Sequence, residues 1–137
     1  MTTGMGISTT APHALIEGDL TGEILGAAID VHRVLGPGLL ESAYEACMCR
    51  ELALRDIPFR SQVALPVHYK DVHLDCGYRV DFVVGERAIV ELKSVERLGP
   101  IHEAQLLTYL RLSKIRVGLL INFNVPLLPR GIIRRVL

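Results

Sequence analysis

The chain predicts an α/β (α+β) fold: a mixed central sheet flanked by helices, in the order ααβββαββ. Three observations carry that expectation. Two segments with helical apolar spacing open the ordered part of the chain, and a third follows Pro100. Residues 78–94 read as two strands joined by a tight turn at Gly85-Glu86. Residues 116–123 form a strongly apolar run of the kind buried on both faces of a sheet.

The elements follow in order. Residues 1–15 are rich in Gly, Ser and Thr and are expected to be flexible, leaving one domain over 16–137. Thr21 is the expected N-cap of a first helix over 22–35, with Ile24, Leu25, Ala28, Val31 and Leu35 at helical spacing. Gly36-Pro37-Gly38 ends it. A second helix is expected over 39–55, its apolar set including Leu40, Ala43, Tyr44, Cys47, Leu52 and Leu54. Asp56-Ile57-Pro58 breaks it. A meander of three strands is expected over 60–69, 72–84 and 87–94, with Gly77 marking a bend or bulge. A third helix over 101–112 presents Ala104, Leu107 and Leu110, with Leu106 as a further candidate, then strands at 116–123 and 131–136 close the domain.

Composition narrows the function classes. The 137 residues are half apolar, enough for one core. No apolar run approaches the roughly 18 residues that span a bilayer, so no membrane association is expected. The first residues lack the pattern of a signal peptide. Cys47, Cys49 and Cys76 make no disulfide framework and read as reduced cysteines, so a cytoplasmic protein is expected. Net charge is zero but uneven: residues 1–103 carry −6 and residues 104–137 carry +6, with Arg116, Arg134 and Arg135 in the basic part. Such a surface either faces phosphates or is an ordinary solvated edge.

The chemistry concentrates in three charged positions inside apolar strands. Asp81, Glu91 and Lys93 stand among Val, Ile and Phe, where desolvating them is costly unless something compensates. Glu91 and Lys93 share a strand face, their Cα atoms roughly 6.6 Å apart. Counting back from the turn puts Glu91 opposite Arg79 to Asp81, so the carboxylates are neighbours. A divalent cation would compensate them. Mg²⁺, with Mn²⁺ as a substitute, takes oxygen ligands and keeps several waters. Asp81, Glu91 and the carbonyl of Leu92 would supply a half-filled shell, with Glu41 as an outer carboxylate. Lys93 would orient a water or offset charge at phosphorus. The alternative is a structural ion network of Asp81, Glu91, Lys93 and Arg79. On the third helix, His102, Gln105 and Tyr109 share a face that either looks over this cluster or is a solvated stripe.

The ordered set resembles a known family. Asp81, Glu91 and Lys93 on consecutive strands resemble the active-site motif of the PD-(D/E)XK nuclease superfamily. The domain, from Leu20 to Leu137, resembles its bacterial GxxExxY family through Gly38-Leu-Leu-Glu41-Ser-Ala-Tyr44, Gln62, Tyr69, Arg79-Val-Asp81, Val90-Glu91-Leu-Lys93, Gln105 with Tyr109, and Leu120-Ile-Asn122-Phe123. Val80 replaces the motif's proline. The resemblance implies an αβββαβ core, Mg²⁺ on Asp81 and Glu91, a catalytic Lys93 and a helix carboxylate at Glu41. Gln105 and Tyr109 resemble a Gln-x-x-x-Tyr helix motif that supports such sites and contacts DNA. The expected function is metal-dependent DNA hydrolysis. The alternative is a non-catalytic nucleic-acid- or protein-binding module with the same fold. A domain this small covers little DNA, which invites a homodimer.

Overall fold

The computed structural model describes residues 15–75 and 77–137; the expected flexible segment, apart from Leu15, and Cys76 lie outside them. The chain runs α1 (Gly18–Leu35), α2 (Glu41–Leu54), β1 (Phe59–Ala64), β2 (Val67–Tyr69), β3 (Val72–Leu74), β4 (Arg79–Val84), β5 (Ala88–Lys93), α3 (Pro100–Ser113), β6 (Val117–Asn122), a 3-10 turn (Leu128–Gly131) and β7 (Ile132–Val136). The main sheet has the order β1-β4-β5-β6-β7. Its pairs are antiparallel except β5 with β6, which are parallel and joined through α3. This mixed sheet with helices on both faces is a restriction-endonuclease-like core, as the sequence predicts.

The sheet separates two apolar clusters. On one face α1 and α2 bring Ile24, Ala28, Tyr44, Met48 and Leu52 against Phe82, Val90, Leu92, Leu119 and Phe123. On the other, α3 brings Leu106, Tyr109 and Leu110 against Val83, Ile89 and Leu120. Side-chain alternation along β5 therefore puts Ile89, Glu91 and Lys93 on the α3 side and Val90 and Leu92 on the other.

Several expected boundaries move for identifiable reasons. α1 begins one turn early, at Gly18, after Glu17 in a left-handed conformation. Thr21 is thus no N-cap; it is buried, and its Oγ1 donates back to the carbonyls of Glu17 and Gly18. α2 covers 41–54, and Leu40 and Leu54 are exposed rather than core; Met48 takes the inner position. In α3 the buried residues are Leu106, Tyr109 and Leu110, while Ala104 faces solvent. The two long strands expected at 60–69 and 72–84 each split. Pro66 cannot donate to a ladder, so the chain leaves β1 after Ala64 and pairs β2 with β3 as a separate two-stranded hairpin. Gly77, at φ 76°, lies between β3 and β4 in a left-handed conformation that glycine favours.

Candidate active site

The site lies where the sheet opens. Pairing of β4 with β5 runs Val84↔Ala88, Val83↔Ile89 and Phe82↔Val90, then stops at the level of Asp81 and Glu91. Pairing of β1 with β4 skips the same level: Ser61↔Phe82 and Val63↔Val80 are partners, but Gln62 and Asp81 are not. Carboxylates replace the missing backbone bonds. The Asp81 amide donates to Glu91 Oε2 at 2.6 Å, and the Leu92 amide donates to Asp81 Oδ2 at 2.8 Å. The two acids thereby cross-link strands that no longer pair directly. Val80 packs with the α3-side cluster, although alternation from Phe82 would put it on the other face, so β4 twists at Asp81.

Gln62 closes the other side of the opening. Its backbone is left-handed at φ 51°, which a non-glycine residue adopts at a cost of about 1 kcal/mol or more. Its amide nitrogen lies 2.9 Å from each carboxylate oxygen of Glu45 and 3.2 Å from Asp81 Oδ1. Glu45 and the bridging role of Gln62 go beyond what the sequence suggested. The signal was present in the i, i+4 spacing of Glu41 and Glu45 on one helix face, but a solvated acid at Glu45 reads identically.

The electrostatics are those of crowded acids. Glu91 is 5% exposed, and its carboxyl is pushed up to about 8, mainly by burial and then by the charge of Asp81. The Asp81 amide and Lys93 pull in the other direction without prevailing. Glu41, on the first turn of α2, is also raised, first by desolvation; Lys93 opposes this, and Asp81 and Glu45 add to it. The Tyr109 phenol is raised by burial and by the charges of Glu91 and Asp81. Glu41, Lys93 and Tyr109 therefore all sit within electrostatic reach of the carboxylate pair. Among the described residues no salt bridge joins Lys93 or Arg79 to Asp81 or Glu91. Arg79 instead donates to the Gln62 carbonyl at 3.4 Å.

Neighbouring loops hold these groups in place. Tyr44 is buried and stacked on Phe123 at 4.5 Å; its hydroxyl donates to the Gly36 carbonyl at 2.6 Å and accepts from the Leu39 amide at 3.1 Å. One turn back on α2 stands Glu41, so Tyr44 anchors the loop that delivers it. Ser94 Oγ donates to the Leu39 carbonyl, tying the end of β5 to the same loop. Asn122, at the end of β6, accepts from the Val95 amide and donates to its carbonyl. His102 serves as a cap, its Nδ1 accepting from the Gly99 amide at 2.9 Å.

The arginines are elsewhere. Arg116 lies beside Val117, which pairs with Ala88 at the far end of β5 from Lys93; it donates to the Leu137 carbonyl. Arg134 and Arg135 lie on β7, two strands from β5. Arg134 bonds the Ile16 carbonyl and Arg135 bonds Glu103 on α3. None of the three converges on Asp81 and Glu91.

The donor set suits a small divalent cation. Among the described residues no group of three or more His, Cys, Asp or Glu side chains is placed to hold a metal ion. Mg²⁺ needs none, because it is commonly held by one or two carboxylates and keeps its waters. Burial first, and then the charge of Asp81, raise Glu91; a cation held by both carboxylates would relieve the second.

A family model described as the PD-(D/E)XK nuclease superfamily matches residues 18–136, nearly the whole chain. No curated protein and no solved structure matches the chain.

Proposed function

We propose that this chain, which belongs to the PD-(D/E)XK nuclease superfamily, is a Mg²⁺-dependent nuclease hydrolysing DNA phosphodiester bonds, with Mn²⁺ as an alternative ion. The superfamily supports a nuclease-type function and the use of a divalent metal. The observation that carries the finer reading is the carboxylate pair at the sheet opening, cross-bonded through two backbone amides, with Lys93 two residues beyond Glu91.

Asp81 and Glu91 would hold the ion, with the Leu92 carbonyl and Glu41 completing the protein's share of its surroundings. When bound, the ion activates water and neutralises charge on the phosphate. The protein's own groups do the rest. Gln62 and the Leu92 amide fix the direction of Asp81. The Asp81 amide fixes Glu91. Lys93 directs its ammonium toward the attacking water or the phosphate oxygens, where it offsets developing negative charge. Gln105 and Tyr109 line the α3 side and position the substrate strand. Arg116, Arg134 and Arg135 are assigned to flanking phosphates, because each is held by a partner away from the carboxylates. Among the described residues no helix is long and apolar enough to cross a membrane, and a cytoplasmic setting is part of the proposal.

The test is cleavage of single-stranded, duplex and branched DNA, with RNA for comparison, in Mg²⁺ or Mn²⁺. Lys93→Ala is expected to lose roughly 10²-fold or more in rate. Equal rates for wild type and variant, or no cleavage of any substrate, would overturn the assignment.

A further inference from the structure

Between the β2–β3 hairpin and α3 lies a groove of about 510 Å³. Its walls include Val67, Leu74, Tyr78, Ile101, Gln105 and Tyr109. Unlike the core, its rim is open: Ile101 is 72% exposed and Tyr78 49%. An open apolar surface beside polar chemistry marks a binding site more often than a packing fault.

Three features say what fills it. First, Gln105 and Tyr109 line the groove, and Tyr109, buried between α3 and the sheet, also feels the charges of Glu91 and Asp81. An occupant of the groove is therefore continuous with a molecule held at those carboxylates. Tyr78 precedes Asp81 by three residues, roughly 10 Å along the chain. Second, among the described residues none that lines the groove is charged, and two are tyrosines. That chemistry suits the flat uncharged face of an aromatic base. Third, a cation stands at the rim. Arg111 is exposed and donates to Thr108, which lines the groove. A cation outside an apolar slot matches a phosphate backbone outside a base.

We infer that this groove is a subsite for an unpaired nucleobase of the substrate strand, and that the enzyme acts on DNA carrying single-stranded nucleotides beside the cut. The inference rests on the nuclease reading above. In an intact duplex both faces of each base are already stacked, so only an unpaired base can offer a face to Tyr78 or Tyr109.

Binding is measured with the Lys93→Ala protein, so that cleavage does not enter. The probes are a single strand and a blunt duplex of one sequence, with 2-aminopurine placed at successive positions of the strand. The single strand is expected to bind at least about tenfold tighter, with fluorescence quenched at one or two positions near the centre of the footprint. Tyr78→Ala is expected to weaken single-strand binding roughly fivefold or more, while Tyr78→Phe, which keeps the ring, retains it. Val34→Ala, on the exposed face of α1, serves as a control and leaves binding unchanged. If Tyr78→Ala lowers the melting temperature sharply, Ile101→Ser tests the same groove from α3. Equal affinity for strand and duplex, or wild-type affinity in folded Tyr78→Ala, would overturn the subsite. A homodimer that Tyr78→Ala dissociates would also overturn it, giving the groove to a second copy. Absence of metal-dependent cleavage by the wild type would instead overturn the nuclease reading, and the binding comparison separates the two failures.

Discussion

Glu91 gathers the costs of the site into one side chain. Its folded pKa is raised from 4.5 to about 8 by burial and by Asp81, so the folded metal-free protein favours the protonated acid. The contribution of this group to stability is complete below its unfolded pKa and is lost as pH rises through about 8. Metal-free protein should therefore lose on the order of a few kcal/mol between pH 5 and 9, read as a falling melting temperature. Glu91→Gln should flatten that dependence; an equally steep fall in the variant would place the titrating group elsewhere. A proton and a cation compete for the same carboxylate, so Mg²⁺ affinity should rise over the same interval. Gln62 offers a second check. Gln62→Ala keeps the strained left-handed backbone and loses the contacts to Glu45 and Asp81, whereas Gln62→Gly removes the strain. The glycine variant should melt above the alanine variant, by a difference worth about 1 kcal/mol. The site was only half legible at this scale. Asp81, Glu91 and Lys93 stand out because charges in apolar strands require a reason. Glu45 does not stand out, and Gln62 enters only through the family resemblance, because a helix acid and a strand glutamine are ordinary until tertiary contact joins them.

Among the elements, the β4–β5 hairpin was the most readable, because a tight turn fixes register by simple counting. The loop holds three residues, Gly85 to Arg87, one more than the expected turn at Gly85-Glu86, and this places Asp81 level with Glu91, where the carboxylates meet. Helix α3 was less readable. Leucines recur on more than one side of it, and only the position of the sheet decides that Leu106 and Leu110 face inward while Ala104 does not. The same packing makes Gly118 and Gly131 informative. A Cβ at Gly118 would lie 2.8 Å from Leu106, a side chain with limited room to turn. At Gly131 it would lie 2.2 Å from the Asn122 carbonyl oxygen, which belongs to the backbone. Gly131→Ala should be the more damaging of the two, costing several kcal/mol against about 1–3 kcal/mol for Gly118→Ala, measured by denaturant unfolding. Helix α2 carries its own test. Tyr44→Phe removes the hydroxyl that serves Gly36 and Leu39; it should cost about 1–3 kcal/mol and weaken Mg²⁺ binding through the displaced Glu41 loop.

At the level of the whole molecule, the ordered ααβββαββ pattern was sufficient to give the architecture, because a parallel pair joined through a helix leaves few arrangements for the rest. What the pattern could not give was the separation of β2 and β3 from the main sheet. Pro66 was visible, but a single proline does not say where its strand will go next. Cation binding to the folded chain alone should raise its stability by about 2.7 kcal/mol at a hundredfold excess over the dissociation constant. That gain should vanish when both Asp81 and Glu91 are neutralised, as a titration of melting temperature against Mg²⁺ will report.

The cross-bonded opening between β4 and β5 has a practical consequence for genetics. Asp81 and Glu91 accept backbone amides that have no ladder partner at that level. Truncating either acid to alanine leaves a strand amide without its acceptor, and a cell carrying such an allele reports lost protein as readily as lost chemistry. Lys93 accepts no backbone bond across that opening, being a cation. An inactive allele meant to separate presence of the protein from its action is therefore best made at Lys93.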